Sequence, residues 1–172
     1  MSIKVYNSLT RTKEEFVPVT EGKVTMYVCG PTVYSLSHIG HARSAVSFDV
    51  IYRYLRYKGF EVTYARNYTD VDDKIINKAN EEGSTSEEVA EKNIEAFDAD
   101  MAALGVLLPT HRPRATTTMG EIIEMTKKLI DKGYAYELEG DVYFSVRKAK
   151  NYGMLSGRNI DELESGARVG VD

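Results

Sequence analysis

Between positions 23 and 29 apolar and polar residues alternate, with Val24, Met26 and Val28 on one side and Thr25, Tyr27 and Cys29 on the other. A period of two predicts a half-buried strand, and the Gly30-Pro31 pair stops it. From Gly40 to Lys58 the period lengthens to that of a helix: Phe48, Ile51, Tyr52 and Leu55 share one face, with Asp49, Arg53 and Arg56 opposite. Gly59 is a suitable stop, and EVTYARNY then returns to β-forming residues. Strand, helix and strand within about 45 residues make a βαβ unit, so the two strands should be parallel.

Downstream, TDVDDKIINKANEEG predicts a short helix capped by Thr69 or Asp70, with acidic residues in its first turn. A second helix presents Ala90, Ile94, Phe97, Met101 and Leu104 on one face and stops at Gly105, with Ser84 and Glu87 at capping-box spacing. A third, over about 118–132, carries Ile122, Ile123, Leu129 and Ile130, with Thr118 and Glu121 at box spacing and Gly133 closing it. YAYELEGDVYFSV predicts a hairpin with Gly140-Asp141 at its turn. The residues after it are weakly patterned, and no internal repeat is visible.

Composition sets bounds on this picture. A chain of 172 residues with 42% hydrophobic and 28% charged residues and no low-complexity run is globular in type. The first residues hold no apolar run of signal-peptide length, and nothing approaches the roughly 18 apolar residues of a membrane span. A cytoplasmic location and no membrane partner are the expectations. The net charge of −4 does not advertise nucleic acid. Arg53, Arg56, Lys58 and Arg66 cluster, and residues 81–100 are acidic, which reads first as solvated surface.

Chemistry concentrates in YVCGPTVYSLSHIGH, residues 27–41. In parallel α/β sheets ligands bind beyond the carboxyl ends of the strands, where Cys29 and the turn after it fall. His38 and His41 lie one turn apart at the start of the helix, where free backbone N–H groups and the helix dipole favour a phosphate. Gly40 removes a side chain between them, and two imidazoles can donate to a phosphate as its charge grows. A capping or surface histidine, or a metal-binding pair, is the competing reading. No Gly-Lys-Ser/Thr loop is present. Cys29 is the only cysteine, so it is a buried small hydrophobe, a metal ligand or a reactive thiol, and zinc would need ligands from elsewhere. His111, in a His-Arg-Pro-Arg loop, is a poor candidate for one. Asp70, Asp72 and Asp73 read as helix-stabilising, with a Mg²⁺ site as the alternative.

The runs CGPTVYSLSHIGHARS, FDVIYRYLRYKG, NYTDVDDKI and GARV together resemble the first half of the bacterial-type cysteinyl-tRNA synthetase family, over essentially the whole chain. The His-Ile-Gly-His tetrad alone marks class I aminoacyl-tRNA synthetases more broadly. The resemblance implies the first half of a Rossmann-like, parallel-sheet α/β nucleotide-binding catalytic domain over residues 1–112 and the start of a connective insertion, a helix plus a hairpin, over 113–172. It implies activation of L-cysteine with ATP and Mg²⁺ to cysteinyl-adenylate, then transfer to tRNA(Cys). His38 and His41 would be catalytic; Pro31, Thr32, Tyr34, His38, Gly40 and His41 would meet ATP; Cys29, Gly30 and Thr69 would meet the substrate cysteine. Cys29 would also be the first protein ligand of a Zn²⁺ that binds the substrate thiolate. A soft metal separates thiol from hydroxyl where an apolar pocket cannot.

The family's Lys-Met-Ser-Lys-Ser loop is missing, as are the Cys, His and Glu that complete the zinc site and the domain that reads the anticodon. The expectation is therefore an N-terminal piece, inactive alone, whose partner is a missing C-terminal half. Two rivals remain. A cysteine-activating ligase of the mycothiol pathway usually has proline where Lys74 stands and tends to lack the Thr32-Val33-Tyr34 run. A non-catalytic truncated paralogue or split half is the other.

Overall fold

The computed structural model describes residues 2–162, so GARV lies outside the described residues. In chain order the elements are β1 (Lys4–Asn7), β2 (Thr12–Glu15), β3 (Lys23–Val28), α1 (Ile39–Tyr57), β4 (Glu61–Arg66), α2 (Asp73–Glu82), α3 (Ser86–Ala103), α4 (Met119–Asp131), β5 (Ala135–Leu138) and β6 (Asp141–Phe144). They divide into two compact units, one of residues 18–120 and one of residues 1–17 with 121–172.

In the first unit β3 and β4 pair in parallel from Lys23 opposite Glu61 to Val28 opposite Arg66. The alternation read from the sequence is the alternation of burial: Val24 and Val28 are buried while Lys23, Thr25, Tyr27 and Cys29 are exposed. Val28, Tyr52 and Tyr64 form one core cluster, with Met26, Phe48, Val62 and Leu107 against it. A larger cluster joins Val33, Ala45 and Tyr68 to Ile75 and Ala79 of α2 and to Val89, Ala90, Ile94, Phe97 and Met101 of α3. Burial of the larger cluster ties the α2–α3 pair to α1 through Ala45 and to the segments that follow β3 and β4 through Val33 and Tyr68.

Several local expectations are corrected. Asp49 belongs to the polar stripe of α1 by period, yet it is buried, accepting from Arg53 Nε at 2.7 Å and from the backbone N–H of Leu107 at 3.0 Å. The chain after α3 returns across α1, and a buried amide needs an acceptor there. Ile51 and Leu104 are exposed. The cap of α2 is Asp72, whose side chain accepts from Lys74 N–H, and the α3 capping box is Thr85 with Glu88, one residue later than the spacing suggested. Asp70 caps nothing: it is buried and accepts from the N–H and hydroxyl of Thr116.

Residues 110–115 are more than a loop. His111 and Arg114 bridge in parallel to Ala65 and Tyr68, with His111 N–H donating to Tyr64 O at 3.0 Å and Arg66 N–H to His111 O at 3.0 Å. A proline-interrupted run carries too few consecutive β-formers to announce a strand. Arg66 is also not surface: it is 6% exposed, with its guanidinium carbon 5.4 Å from the Phe97 ring centroid.

The second unit contains the antiparallel β1–β2 hairpin, which no expectation above covers, most of α4, and the antiparallel β5–β6 hairpin. Leu138 pairs with Asp141, so the hairpin turn is Glu139-Gly140. Both have positive φ, the condition of the tight turns that suit twisted strands. Thr118 Oγ1 donates to the carbonyl of Arg114 instead of capping α4, whose Ile122 and Ile123 are about half exposed.

Candidate functional site

At the C-terminal end of β3 the chain continues as Cys29-Gly30-Pro31-Thr32 and remains beside the continuation of β4. Thr69 N–H donates to Pro31 O at 3.0 Å and Val33 N–H to Thr69 O at 3.1 Å, so Thr32 and Thr69 form a parallel bridge beyond the strands. Cys29 is exposed. Of the three readings of its thiol, the buried hydrophobe is thereby removed.

Gly30 is fixed by close approach. Its N–H donates to Asn67 Oδ1 at 2.8 Å, and a Cβ on it would lie 1.6 Å from the Asn67 carbonyl oxygen. No side chain larger than hydrogen fits without separating the two segments. Asn67 Oδ1 also accepts from Tyr27 Oη at 3.0 Å, and its Nδ2 donates to Thr69 Oγ1 at 3.4 Å. Cys29, Gly30, Pro31, Thr32 and Thr69 are thus brought together, and Asn67 is the residue among them that the sequence reading passed over. Its signal was present in the NYTD run, as a polar residue directly after a strand.

At the start of α1 the two histidines make a reciprocal cap. His38 is the N-cap residue, with extended backbone (φ −129°, ψ 173°). Its Nδ1 accepts from the N–H of Gly40 at 3.0 Å, while Nδ1 of His41 accepts from the N–H of His38 at 3.2 Å. The rings lie 4.0 Å apart between centroids, tilted by 34°. A nitrogen that accepts carries no proton, so each neutral ring has its N–H on Nε2. The competing reading, a capping pair, is therefore true, and it leaves two ring N–H donors at a helix start whose His38, Gly40 and His41 amides are already engaged within the cap. Burial lowers the pKa of His41 first, followed by the charges of His38 and Arg66, which favours the neutral form. Gly40 is required by this cap before any ligand: a Cβ there would be 2.8 Å from His38 Cε1.

His38 also borders a cleft of about 360 Å³, with Ser37 and Ala42 on one side and Asp100, Met101 and Leu104 on the other. Tyr34 faces elsewhere. It lines a second cleft, of about 400 Å³, with Lys74 and Lys78 of α2, and the Lys74 ammonium lies 5.3 Å from its ring centroid. Among the described residues no group of three His, Cys, Asp or Glu side chains is placed to hold a metal ion. Of the three aspartates of this run, Asp70 accepts from Thr116 and Asp72 from the α2 amide of Lys74.

Residues 15–172 match the family described as tRNA synthetases class I (C) catalytic domain. The chain belongs to this class I synthetase family. It is 58% identical over 171 residues to the cysteine-tRNA ligase of Geobacter metallireducens, covering 99% of the chain and 35% of that relative. Against the cysteine-tRNA ligase of Halalkalibacterium halodurans the identity is 59% over 172 residues, covering the whole chain and 37% of the relative. The chain thus spans about a third of the length of these synthetases.

Solved structures of the same class share the fold. Mycobacterium tuberculosis methionyl-tRNA synthetase, in complex with methionyl-adenylate, has a TM-score of 0.62 at 19% identity, over 66% of this chain and 23% of that one. LeuRS of Agrobacterium radiobacter K84, in a ternary complex with tRNA and LeuAMS, has a TM-score of 0.59 at 21% identity, over 70% of this chain and 16% of its own. The Rossmann-like α/β class of the synthetase family is therefore the fold of this chain.

Proposed function

We propose that the complete protein containing this chain activates L-cysteine with ATP and transfers it to tRNA(Cys). In the first step a carboxylate oxygen of cysteine attacks the α-phosphorus of ATP; the bond from that phosphorus to the bridging oxygen breaks, and pyrophosphate leaves with Mg²⁺. In the second a terminal ribose hydroxyl of the tRNA attacks the carbonyl carbon, and AMP leaves. The observation that carries the reading is the reciprocal histidine cap. It turns Nδ1 of His38 and His41 inward to backbone and reserves their Nε2–H groups as donors for charge developing on the α-phosphate.

The other assignments are carried over from the family. Gly40 and the Pro31-Thr32 segment would border the nucleotide, whereas Tyr34 lines the separate cleft with Lys74 and Lys78. Gly30 and Thr69 would meet the substrate cysteine, and the exposed Cys29 would offer a thiolate beside its side chain. Zinc, if bound, would supply a soft Lewis acid that distinguishes thiol from hydroxyl. Cys29 supplies one donor where tetrahedral zinc takes about four. The described residues do not fit a zinc site by themselves. In the same reading residues 1–112 are the first half of the catalytic domain, residues 113–172 begin a connective insertion, a C-terminal half is the natural partner, and the protein works in the cytoplasm.

The test is the amino-acid dependence of pyrophosphate exchange into ATP by the complete protein. Exchange that requires cysteine and is at least about 100-fold slower with serine supports the reading. Absence of exchange with every amino acid would leave a binding role for the chain and overturn the catalytic one.

A further inference from the structure

We infer that Asn67 is the positioning residue of the cysteine-binding end of the site, setting the Cys29-Gly30 peptide and the Thr69 hydroxyl in one register. This rests on the function proposed above and deepens it. The Asn67 side chain makes three hydrogen bonds, two of them to residues 40 and 37 positions away in the chain and one to its near neighbour Thr69. Gly30 N–H donates to Oδ1 at 2.8 Å, Tyr27 Oη donates to the same oxygen at 3.0 Å, and Nδ2 donates to Thr69 Oγ1 at 3.4 Å. One planar amide therefore uses its acceptor on the β3 side and its donor on the β4 side. The backbone of Asn67 closes the same gap, since its carbonyl occupies the space a Gly30 side chain would need.

The arrangement does more than close two strands. The ladder hydrogen bonds of Pro31, Val33 and Thr69 already hold the segments together. What they leave undetermined is the rotation of the Cys29-Gly30 peptide, which directs the Cys29 side chain, and the rotation of the Thr69 hydroxyl. Both are set by the Asn67 amide. With Nδ2 as donor, Thr69 Oγ1 accepts, and its own hydrogen is directed away from Asn67 and remains available to a ligand. Aspartate at this position would keep the acceptor for Gly30 and Tyr27 but could not donate to Thr69, so the two functions of the amide can be separated by one atom.

The experiment has two readouts. In the complete enzyme, Asn67→Ala should raise KM for cysteine about 10-fold in pyrophosphate exchange while KM for ATP changes less than about 2-fold. In the same complete protein, hydrogen exchange followed by NMR should show the Gly30 amide losing about 10-fold or more of its protection in Asn67→Ala, with the Thr69 and Val33 amides unchanged. Asn67→Asp should restore protection at Gly30 without restoring KM for cysteine. Equal increases in both KM values, unchanged cysteine KM, or loss of protection across the whole bridge would each overturn the positioning role. A wild-type enzyme that exchanges no pyrophosphate with cysteine would instead overturn the function proposed above, and the Gly30 protection of Asn67→Ala would still decide whether Asn67 sets this peptide.

Discussion

The backbone N–H of His38 donates to Nδ1 of His41 at 3.2 Å, so the helix start is closed by the same ring that offers its other nitrogen outward. Capping is thus compatible with the phosphate contact proposed above. A glutamate or glutamine usually fills the third helical position of a capping box. Histidine performs that backbone function and adds a neutral N–H donor, where glutamate would place a negative charge against a phosphate.

This cap makes stability pH-dependent. The pKa of His41 is lowered in the folded chain from its ordinary value of 6.5, by burial first and then by the charges of His38 and Arg66. The unfolded chain therefore binds more protons as pH falls through 6.5 towards the lowered folded value, and stability is lost across that window. Above 6.5 the contribution is fully present. Thermal melts from pH 7.5 to 5 should show a fall in Tm that is smaller in His41→Asn, whose side-chain oxygen can still accept the His38 amide. An identical fall in both proteins would remove His41 as the cause.

Gly30→Ala should be far more damaging than its size suggests. The added carbon would meet the Asn67 carbonyl at 1.6 Å, so the backbone must shift and the strand-end bridge must open. A loss of about 1–3 kcal/mol or more in urea denaturation is expected. Alkylation of Cys29, the only thiol, should change rate in the same variant.

How much of this could be read beforehand follows from the range of the signals. The alternation of Val24, Met26 and Val28 and the helical stripe through Tyr52 and Leu55 are local, and both survive in the structure. The pairing of the two histidines of the His-Ile-Gly-His tetrad at the helix start is local as well, since they interact within one turn. Asn67 was not legible, because its partners Tyr27 and Gly30 are 40 and 37 residues away. Asp49 and Arg66 were misplaced on the surface for a related reason: charge predicts exposure until a distant backbone or ring supplies a partner. The strand-like pairing of His111 likewise depends on β4, not on its own propensity.

Asp49 offers a check on that buried polar contact. Asp49→Ala leaves the Leu107 amide without its acceptor and frees Arg53, at an expected cost of about 1–3 kcal/mol by chemical denaturation. Asp49→Asn retains an acceptor and should cost less. Equal losses would show that the carboxylate charge, not the Leu107 hydrogen bond, matters.

Ile75 is fully buried in the cluster joining α2 and α3. Ile75→Ala should cost about 2–5 kcal/mol, measured by urea denaturation, because the surrounding side chains cannot collapse fully into the space. A loss below about 1 kcal/mol would mean that the α2–α3 pair repacks freely and does not hold the strand ends rigid.

The central claim is that the His38–His41 pair acts on charge that appears in the transition state of cysteine activation. It is tested most directly by the rate of cysteine-dependent pyrophosphate exchange in the complete enzyme, measured for wild type, His38→Ala and His41→Ala at saturating ATP, with the dissociation constant for ATP determined on the same proteins. A fall in rate of about 100-fold in each variant, with ATP affinity nearly unchanged, is the predicted result. Rates within a few-fold of wild type, or a loss of ATP affinity as large as the loss of rate, would contradict it.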